Sequence, residues 1–180
     1  MGPEDVVKKV AEDVLFAIKT DQEIQKGNKE KIYKLAEEKI LPNFDFEKVA
    51  RLVLGRAWRS ASDEQKKGFI VEFRTLLLKT YAVALSKYKD QKIEFKPSRM
   101  SYTDEIFIVK SEIIQAGAQP IRVNYALSKR AGKWLVFDIV IEGVSLVTNY
   151  RSQFSSEIKK NGMDTLILKL AKKNKGKKEK

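Results

Sequence analysis

A nearly unbroken apolar strand, which runs through a Glu-Gly turn into an amphipathic segment, constrains this chain more than any other feature. Residues 134–154 read WLVFDIVIEGVSLVTNYRSQF. Successive side chains of a strand point to opposite faces. One face should hold Trp134, Val136 and Val140, and the other should hold Leu135, Phe137, Ile139 and Ile141. Both faces must therefore be shielded from water. Helices could cover both in an ordinary core, or one face could line a cavity that holds an apolar ligand.

The absence of two residue types excludes much familiar chemistry. The 180 residues contain no Cys and no His. Thiol nucleophiles, Cys or His metal sites and Ser-His relays are therefore excluded, whereas a carboxylate pair, a Lys or a Tyr could still act as acid or base. We predict no metal site. The length fits one domain, which we place at residues 1–170.

The net charge is +12, and part of it is concentrated at the carboxyl end. Residues 171–180, AKKNKGKKEK, contain six Lys and one Glu, a net charge of +5, so the remaining residues carry +7. A basic field of this size favours anionic partners such as phosphate groups, membrane surfaces or acidic proteins. We expect the Lys-rich tail to be solvated and disordered.

The amino end carries no secretory apolar region. The chain opens with Met1-Gly2-Pro3 and enters a helical pattern at once, which fits a protein whose signal peptide has been replaced by a start codon. A cytoplasmic origin is equally compatible with the composition. The sequence contains no run of about 18 apolar residues, so it predicts no transmembrane helix.

Helical periodicity dominates the first half of the chain. A helix should begin near Pro3, and others should cover residues 29–41, 46–54 and 62–87. In the longest of these, Ser62 or Asp63 is the expected cap, with Gln65 completing a capping box. Its apolar stripe is typical of a core face and is also compatible with one wall of a pocket. The stripe consists of Phe69, Phe73, Leu76, Leu77, Thr80, Tyr81, Ala84, Leu85 and Tyr88.

Beyond Pro97 the apolar period changes to two. Strands are expected at residues 105–116, 120–129 and 133–142, with one more at residues 91–95 just before Pro97, and short breaks between them predict an antiparallel meander. Two helices should follow, the first ending at Gly162 and the second capped by Asp164. The predicted fold class is therefore α+β, with four strands between two groups of helices.

The carboxylates of the apolar strand do not predict an acid-base pair. Asp138 and Glu142 are four residues apart, which separates their α carbons by about 13 Å in a strand. We expect Asp138 to be a buried hydrogen-bond partner of an Arg or Tyr, and Glu142 to cap the following turn. No glycine-rich phosphate loop is present.

Two long blocks of the chain resemble one known family. Residues 54–85, LGRAWRSASDEQKKGFIVEFRTLLLKTYAVAL, and residues 132–170, GKWLVFDIVIEGVSLVTNYRSQFSSEIKKNGMDTLILKL, are similar to the MlaC family, the periplasmic phospholipid-binding proteins also called toluene-tolerance proteins. The similarity extends from the amino-terminal helix to Leu170. The tail beyond Leu170 lies outside it.

The resemblance implies a soluble, monomeric periplasmic carrier rather than an enzyme. Such a carrier exchanges phospholipid with an outer-membrane lipoprotein-porin complex and with an inner-membrane ATP-binding-cassette transporter that has an MCE-domain subunit, and so maintains outer-membrane lipid asymmetry. The implied fold packs helices, the long one included, on a curved antiparallel sheet of cystatin-like type. Acyl chains would lie between sheet and helices, with the headgroup near solvent. Phospholipid is the ligand, and no other cofactor is implied.

Pattern and resemblance together nominate the residues that contact lipid, although each of them is also compatible with ordinary core. From the sheet we expect either Ile106 and Ile108 or Phe107 and Val109 to line the cavity. Arg151 is the candidate for headgroup contact, or for a structural pair with an acid such as Asp138 or Glu142. The other predicted lipid contacts are Phe73, Leu77, Tyr81, Leu85, Val144, Val147, Tyr150 and Phe154.

Three other functions compete with lipid carriage. A nucleic-acid module would use the basic tail, but no nucleic-acid motif is present and the aromatic residues follow core faces. A cystatin-like enzyme acting on a hydrophobic substrate would need Asp138 or Tyr125 as its acid or base. A structural protein, or a binding module for another small hydrophobic ligand, is distinguished by whether an apolar cavity exists and what fills it.

Overall fold

The computed structural model describes residues 1–178, which form two compact units that are each discontinuous in sequence. One unit, which we call the strand unit, comprises Met1–Asp45 and Val83–Leu146. The other, the helical unit, comprises Phe46–Ala82 and the chain from Val147 onward. The predicted α+β fold is confirmed.

The strand unit begins with three helices, and side chains cap the starts of the second and third. Asp21 accepts a hydrogen bond from the Glu23 backbone N–H (2.9 Å), and Asn28 accepts one from the Lys31 backbone N–H (3.1 Å). Capping side chains satisfy N–H groups that have no partner within the helix. The elements are α1 (Pro3–Thr20), α2 (Gln22–Gln25), α3 (Lys29–Lys39) and a 3₁₀ helix (Leu41–Asn43).

An open antiparallel sheet completes the strand unit, with its five strands in the order in which they occur along the chain. They are β1 (Lys92–Lys96), β2 (Ile106–Ile114), β3 (Ile121–Arg130), β4 (Lys133–Ile141) and β5 (Val144–Ser145). The turns Ala131-Gly132 and Glu142-Gly143 have positive φ at both residues, the geometry of a type I′ hairpin turn. The sequence predicted four strands, because the two-residue β5 is too short to produce a periodic pattern.

One face of the sheet forms the core of the strand unit. Helix α1 packs on it through Val7, and the 3₁₀ segment approaches it where Phe44 bridges Val136. The buried cluster comprises Val7, Phe107, Val109, Leu127, Trp134 and Val136. The burial of these side chains is the main source of stability for the sheet.

A bulge in β4 changes the predicted alternation of its side chains. Ala126 pairs with Asp138 while the next residue, Leu127, pairs with Val136, so Phe137 is the extra residue. Beyond the bulge, the side chains that follow exchange faces. Ile139 and Ile141 therefore share the core face with Trp134 and Val136, and their predicted placement on the opposite face is wrong.

The helical unit contains five helices and follows the predicted pattern closely. They are α4 (Phe46–Leu54), α5 (Arg56–Ser60), α6 (Asp63–Tyr81), α7 (Leu146–Asn161) and α8 (Met163–Lys178). Ser62 and Gln65 form the predicted capping box at the start of α6 (3.1 and 2.9 Å). The predicted long helix is shorter, since residues Ala82–Lys87 form a 3₁₀ helix.

Helix α8 runs parallel to α6. Gln65 donates to Asp164 near the start of both helices (2.9 Å), and Asn174 donates to the Glu72 carbonyl further along (2.9 Å). Helix α7 is antiparallel to α6, since Tyr150 contacts Tyr81 whereas Phe154, one turn later in α7, contacts Phe69.

The Lys-rich tail is helical in the structure as far as Lys178, which differs from the disorder that we predicted. Leu166, Leu170 and Asn174 recur every four residues and form one buried row, so the packing of α8 on α6 continues into the tail. Lys79 Nζ donates to the Asn174 carbonyl (2.8 Å), which fixes this part of α8. Residues 179 and 180 of the predicted tail lie outside the described part of the chain.

No helix within residues 1–178 combines the length and the apolar composition that crossing a membrane requires.

Candidate functional site

The residues predicted to contact lipid are distributed over both units. The strand unit holds Leu85, Ile106, Ile108, Val109 and Val144, and the helical unit holds Phe73, Leu77, Tyr81, Val147, Tyr150 and Phe154. Each group is described within its own unit.

An aromatic cluster forms the interior of the helical unit. Phe73 from α6 contacts Tyr150 and Phe154 from α7, with ring centroids 5.2 and 5.5 Å apart. Phe69 stacks on Phe73 at 5.3 Å. Edge-to-face contacts at such distances contribute beyond the area that they bury. Phe69 was predicted as part of the helical stripe but not as a site residue, and its place in the cluster makes it equivalent to Phe73.

Two tyrosine hydroxyls give this cluster a polar end. The hydroxyls of Tyr81 and Tyr150 are 3.2 Å apart. Tyr150 is buried, whereas 44% of Tyr81 is exposed. Burial, together with the hydrogen bond to Tyr81, raises the pKa of Tyr150 well above its usual range. Tyr150 is therefore neutral at physiological pH and acts as a hydrogen-bonding group.

Burial separates the helical-unit candidates into two kinds. Phe73, Val147 and Phe154 are almost fully buried, so their side chains are core in the structure. Leu77 is half-buried and Tyr81 is exposed. A ligand that leaves the packing unchanged can reach only the second kind.

Arg151 connects two helices of the helical unit. Its Nε donates to the Leu52 carbonyl in α4 (2.7 Å), while the side chain as a whole is exposed. A carbonyl near the end of a helix has no partner within that helix, which makes it a natural acceptor for a cation. Arg151 therefore has a structural contact, but with a carbonyl rather than with the acid that we expected.

In the strand unit, the two alternative pairs from β2 lie on opposite faces. Phe107 and Val109 are buried on the core face. Ile106 and Ile108 lie on the other face, where 42% of Ile106 is exposed. Leu85, in the 3₁₀ helix that precedes β1, is half-buried.

An incompletely covered apolar patch occupies one end of the core face. Register places Ile113 beside Ile121, Ile139 beside Tyr125, and Ile141 beside Val144. Ile141 is 45% exposed and Val144 is 61% exposed. We call these six residues the isoleucine patch. Of these residues the sequence prediction included only Val144. The bulge at Phe137, which moves Ile139 and Ile141 to the core face, cannot be recognised from the alternation of apolar residues.

Tyr125, the one polar group of the patch, is partly buried. Burial raises the pKa of its hydroxyl, and a hydrogen bond with Ser111 acts in the opposite direction. Ser111 in turn donates to the Val123 carbonyl (2.7 Å). Tyr125 is therefore a neutral side chain in an apolar surrounding at physiological pH.

The acidic side chains of the region have structural partners. Asp138 accepts hydrogen bonds from the Ser145 hydroxyl (2.6 Å) and from the Ile139 backbone N–H (2.9 Å). Glu142 accepts from the Arg122 backbone N–H (2.6 Å), which lowers the pKa of its carboxyl. Glu142 thus fastens the last hairpin to β3, and it does not cap the following turn as we expected.

Within the described residues, no group of three or more His, Cys, Asp or Glu side chains is placed to hold a metal ion. The chemistry that the arrangement offers is apolar contact, with neutral hydroxyls and a few charged groups at the margins.

Comparison with known proteins gives consistent matches over nearly the whole chain. The family model for MlaC protein matches residues 8–172. The chain is 31% identical to the intermembrane phospholipid transport system binding protein MlaC of Haemophilus influenzae over 169 residues, which cover 92% of this chain and 79% of the relative. It is 25% identical to toluene tolerance protein ttg2D of Pseudomonas putida over 163 residues, covering 90% and 75% of the two chains.

A solved structure matches as fully. The phospholipid-binding protein from Ralstonia solanacearum, determined in complex with a phospholipid, superposes with a TM-score of 0.91 at 32% identity. The match covers 98% of this chain and 99% of that one.

Proposed function

This chain belongs to the MlaC family of phospholipid-binding transport proteins, and on that premise we propose that it binds phospholipid by its acyl chains and carries it across the periplasm. The observation that carries the proposal is the full-length structural match, at 32% identity, to a protein that holds a phospholipid.

Acyl chains need apolar surface and little specific chemistry. Removing each methylene group from water contributes about 0.8 kcal/mol, so a diacyl lipid is held strongly by any sufficiently large apolar lining. Both units of this chain offer such surface. In the strand unit it is the isoleucine patch, and in the helical unit it is the partly exposed rim of the aromatic cluster at Leu77 and Tyr81.

We assign the ligand contacts to the partly exposed members of the predicted set. They are Leu77, Tyr81, Leu85 and Val144, together with the isoleucine-patch residues Ile139 and Ile141. Ile106 and Ile108, on the opposite face of the sheet from this patch, are left out of the assignment. The buried members position them: Phe73, Val147, Tyr150 and Phe154 from the helical unit, and Val109 from the sheet. We assign no catalytic residue.

Headgroup recognition should be weak. Arg151 is exposed and can meet a phosphate only beside its contact with the Leu52 carbonyl. Asp138 is engaged by Ser145 and the Ile139 N–H, which supports a structural role. Tail contacts, which do not depend on headgroup chemistry, would then dominate affinity.

Membership of the family supports a proposal for the physiological setting. We propose that the carrier works in the periplasm, receives or delivers lipid at an outer-membrane lipoprotein-porin complex and at an inner-membrane ATP-binding-cassette transporter with an MCE-domain subunit, and thereby maintains outer-membrane asymmetry.

Native mass spectrometry of the protein purified from a bacterial host tests the proposal. We expect a mass excess equal to one or two phospholipids, which organic extraction recovers as intact lipid. A bare polypeptide mass that stays bare after incubation with liposomes would overturn the assignment.

A matched pair of valine substitutions locates the contacts. Val144 and Val71 have nearly equal exposure, 61% and 60%, but only Val144 belongs to the isoleucine patch. Val144→Asp should lower the lipid-bound fraction several-fold, because a carboxylate beside an acyl chain is poorly solvated. Val71→Asp should leave the bound fraction unchanged. Equal bound fractions in the two variants would remove Val144 from the site.

A further inference from the structure

The net charge of this protein is almost entirely confined to one of its two units. The helical unit, residues 46–82 and 147–180, contains 18 basic and 7 acidic residues, a net charge of +11. The strand unit contains 18 basic and 17 acidic residues, a net charge of +1. A field this asymmetric orients the molecule toward a negatively charged surface.

Helix α8 presents part of this charge along one exposed stripe. Leu168, Lys172 and Lys175 follow one another at spacings of four and three, which places them on the same side of the helix. This side lies opposite the buried row of Leu166 and Leu170, and Leu168 is 61% exposed. We call the stripe, together with Lys173, which is exposed on a different side of the helix, the α8 basic face.

The lysines of the α8 basic face are not neutralised by carboxylates in the described part of the chain. Lys169, one turn earlier, pairs with Glu157 (2.6 Å). None of the ion pairs found among the described residues involves Lys172, Lys173 or Lys175. Their charge is therefore available to a partner.

The helix that carries these lysines is firmly attached to its unit. The Asn174 amide donates to both the carbonyl and the carboxylate of Glu72 (2.9 and 2.8 Å), and Lys79 donates to the Asn174 carbonyl. Asn174 lies between Lys173 and Lys175 in sequence, so its contacts fix the direction in which both lysines project. The basic face is thus an ordered surface rather than a solvated tail.

We propose that the α8 basic face docks on the surface of a bilayer that contains anionic phospholipid. All the basic residues of α8 are lysines. Their ammonium groups are point charges, without the planar fork that arginine uses to match individual carboxylates. Two lysines beside an exposed leucine, with a third lysine on a different side of the same helix, suit a diffuse layer of lipid phosphates, with Leu168 entering the interface. None of its residues is among the proposed acyl-chain contacts, and the docking proposal does not depend on them.

Vesicle sedimentation tests the docking surface with the full chain. One vesicle population is phosphatidylcholine alone, and the other contains about one third phosphatidylglycerol. We expect the protein to sediment with the anionic vesicles only, and to be released as salt screens the attraction. The variant Lys172→Gln, Lys173→Gln, Lys175→Gln should bind on the order of 100-fold more weakly, since each lysine near an anionic surface contributes about fivefold.

A control variant removes the same charge from the strand unit. Lys26→Gln, Lys29→Gln and Lys34→Gln change three exposed lysines, so a general effect of net charge would weaken both variants equally. We expect the control to bind like the wild type. Equal weakening of the two variants, or no sedimentation with anionic vesicles at low salt, would overturn the proposal, and the second result would direct attention to acidic proteins as partners. Lipid occupancy, measured in parallel by mass, should be the same in all three proteins.

Discussion

At the scale of single residues, the hydroxyl pair of Tyr81 and Tyr150 gives the protein a specific sensitivity to alkali. Tyr150 is buried among Phe73 and Phe154, and its pKa is raised. A tyrosine with a raised pKa keeps its proton in the folded state and loses it in the unfolded chain above about pH 10. The contribution of Tyr150 to stability is therefore fully present below that pH and decreases as the pH rises.

The variant Tyr150→Phe should remove this dependence. We expect the free energy of unfolding of the wild type to fall between about pH 9 and pH 11 more steeply than that of the variant, by up to about 1.4 kcal/mol per pH unit. Urea unfolding at several pH values measures both slopes. Lysines deprotonate in the same range, but equally in both proteins, so parallel slopes would contradict the role given to Tyr150.

Some residue placements could be predicted from the sequence and others could not. The stripe through Phe69 and Phe73 follows helical spacing, so its burial was predictable. The pairing of Glu142 with Arg122 joins residues 20 positions apart, and no local pattern reports it. Arg151 likewise binds a backbone carbonyl, which carries no side-chain signature in the sequence.

At the scale of elements, the strands were predictable because glycines mark their ends. The hairpin turns at Gly132 and Gly143 adopt positive φ, which glycine accepts without strain, and they define β4 on both sides. The bulge between them was not predictable, since Phe137 is as apolar as its neighbours. The bulge brings Ile139 and Ile141 into the isoleucine patch on the core face. Strict alternation of side chains along β4 would place them on the opposite face.

The order of α8 depends on one polar side chain, which we expect to be sensitive to truncation. Asn174→Ala removes the donor to Glu72 while leaving the backbone carbonyl that accepts from Lys79. Because a hydrogen bond to a charged group is lost, the helical unit should be destabilised by about 1.5–3 kcal/mol. Amide hydrogen exchange in residues 171–176 should accelerate accordingly.

Lys173→Ala provides the comparison for this element. Lys173 is adjacent to Asn174 but exposed, so its truncation should leave exchange in α8 nearly unchanged. If both variants exchanged alike, Asn174 would not be the residue that holds the end of the helix.

At the scale of the whole molecule, the basic charge was predictable but its segregation was not. The basic tail at residues 171–180 is visible in the sequence. The net charge of +11 on the helical unit becomes apparent only when the fold shows that residues 46–82 and 147–180 form one unit. The nature of the ligand was equally beyond composition. Apolar periodicity predicted surfaces that bury apolar groups, and the similarity to the MlaC family supplied the phospholipid.

Bound lipid should stabilise the whole molecule. A ligand that binds only the folded state adds about 2.7 kcal/mol when its concentration is 100 times its dissociation constant. Removing the lipid should therefore lower the melting temperature, and adding phospholipid back should restore it. Protein that has been delipidated, verified by mass, and yet melts at the original temperature would contradict the proposed function.

The interleaving of the two units also determines how the chain can fold. Neither unit is contiguous, because the strand unit resumes at Val83 and the helical unit resumes at Val147. Val7 of α1 packs against strands about a hundred residues later, so this side of α1 stays uncovered until the sheet has formed. Non-local contacts of this kind slow folding and prolong the exposure of apolar surface. A chain emerging from its amino end therefore exposes apolar surface during much of its synthesis, and no simple truncation at either end can yield one unit by itself.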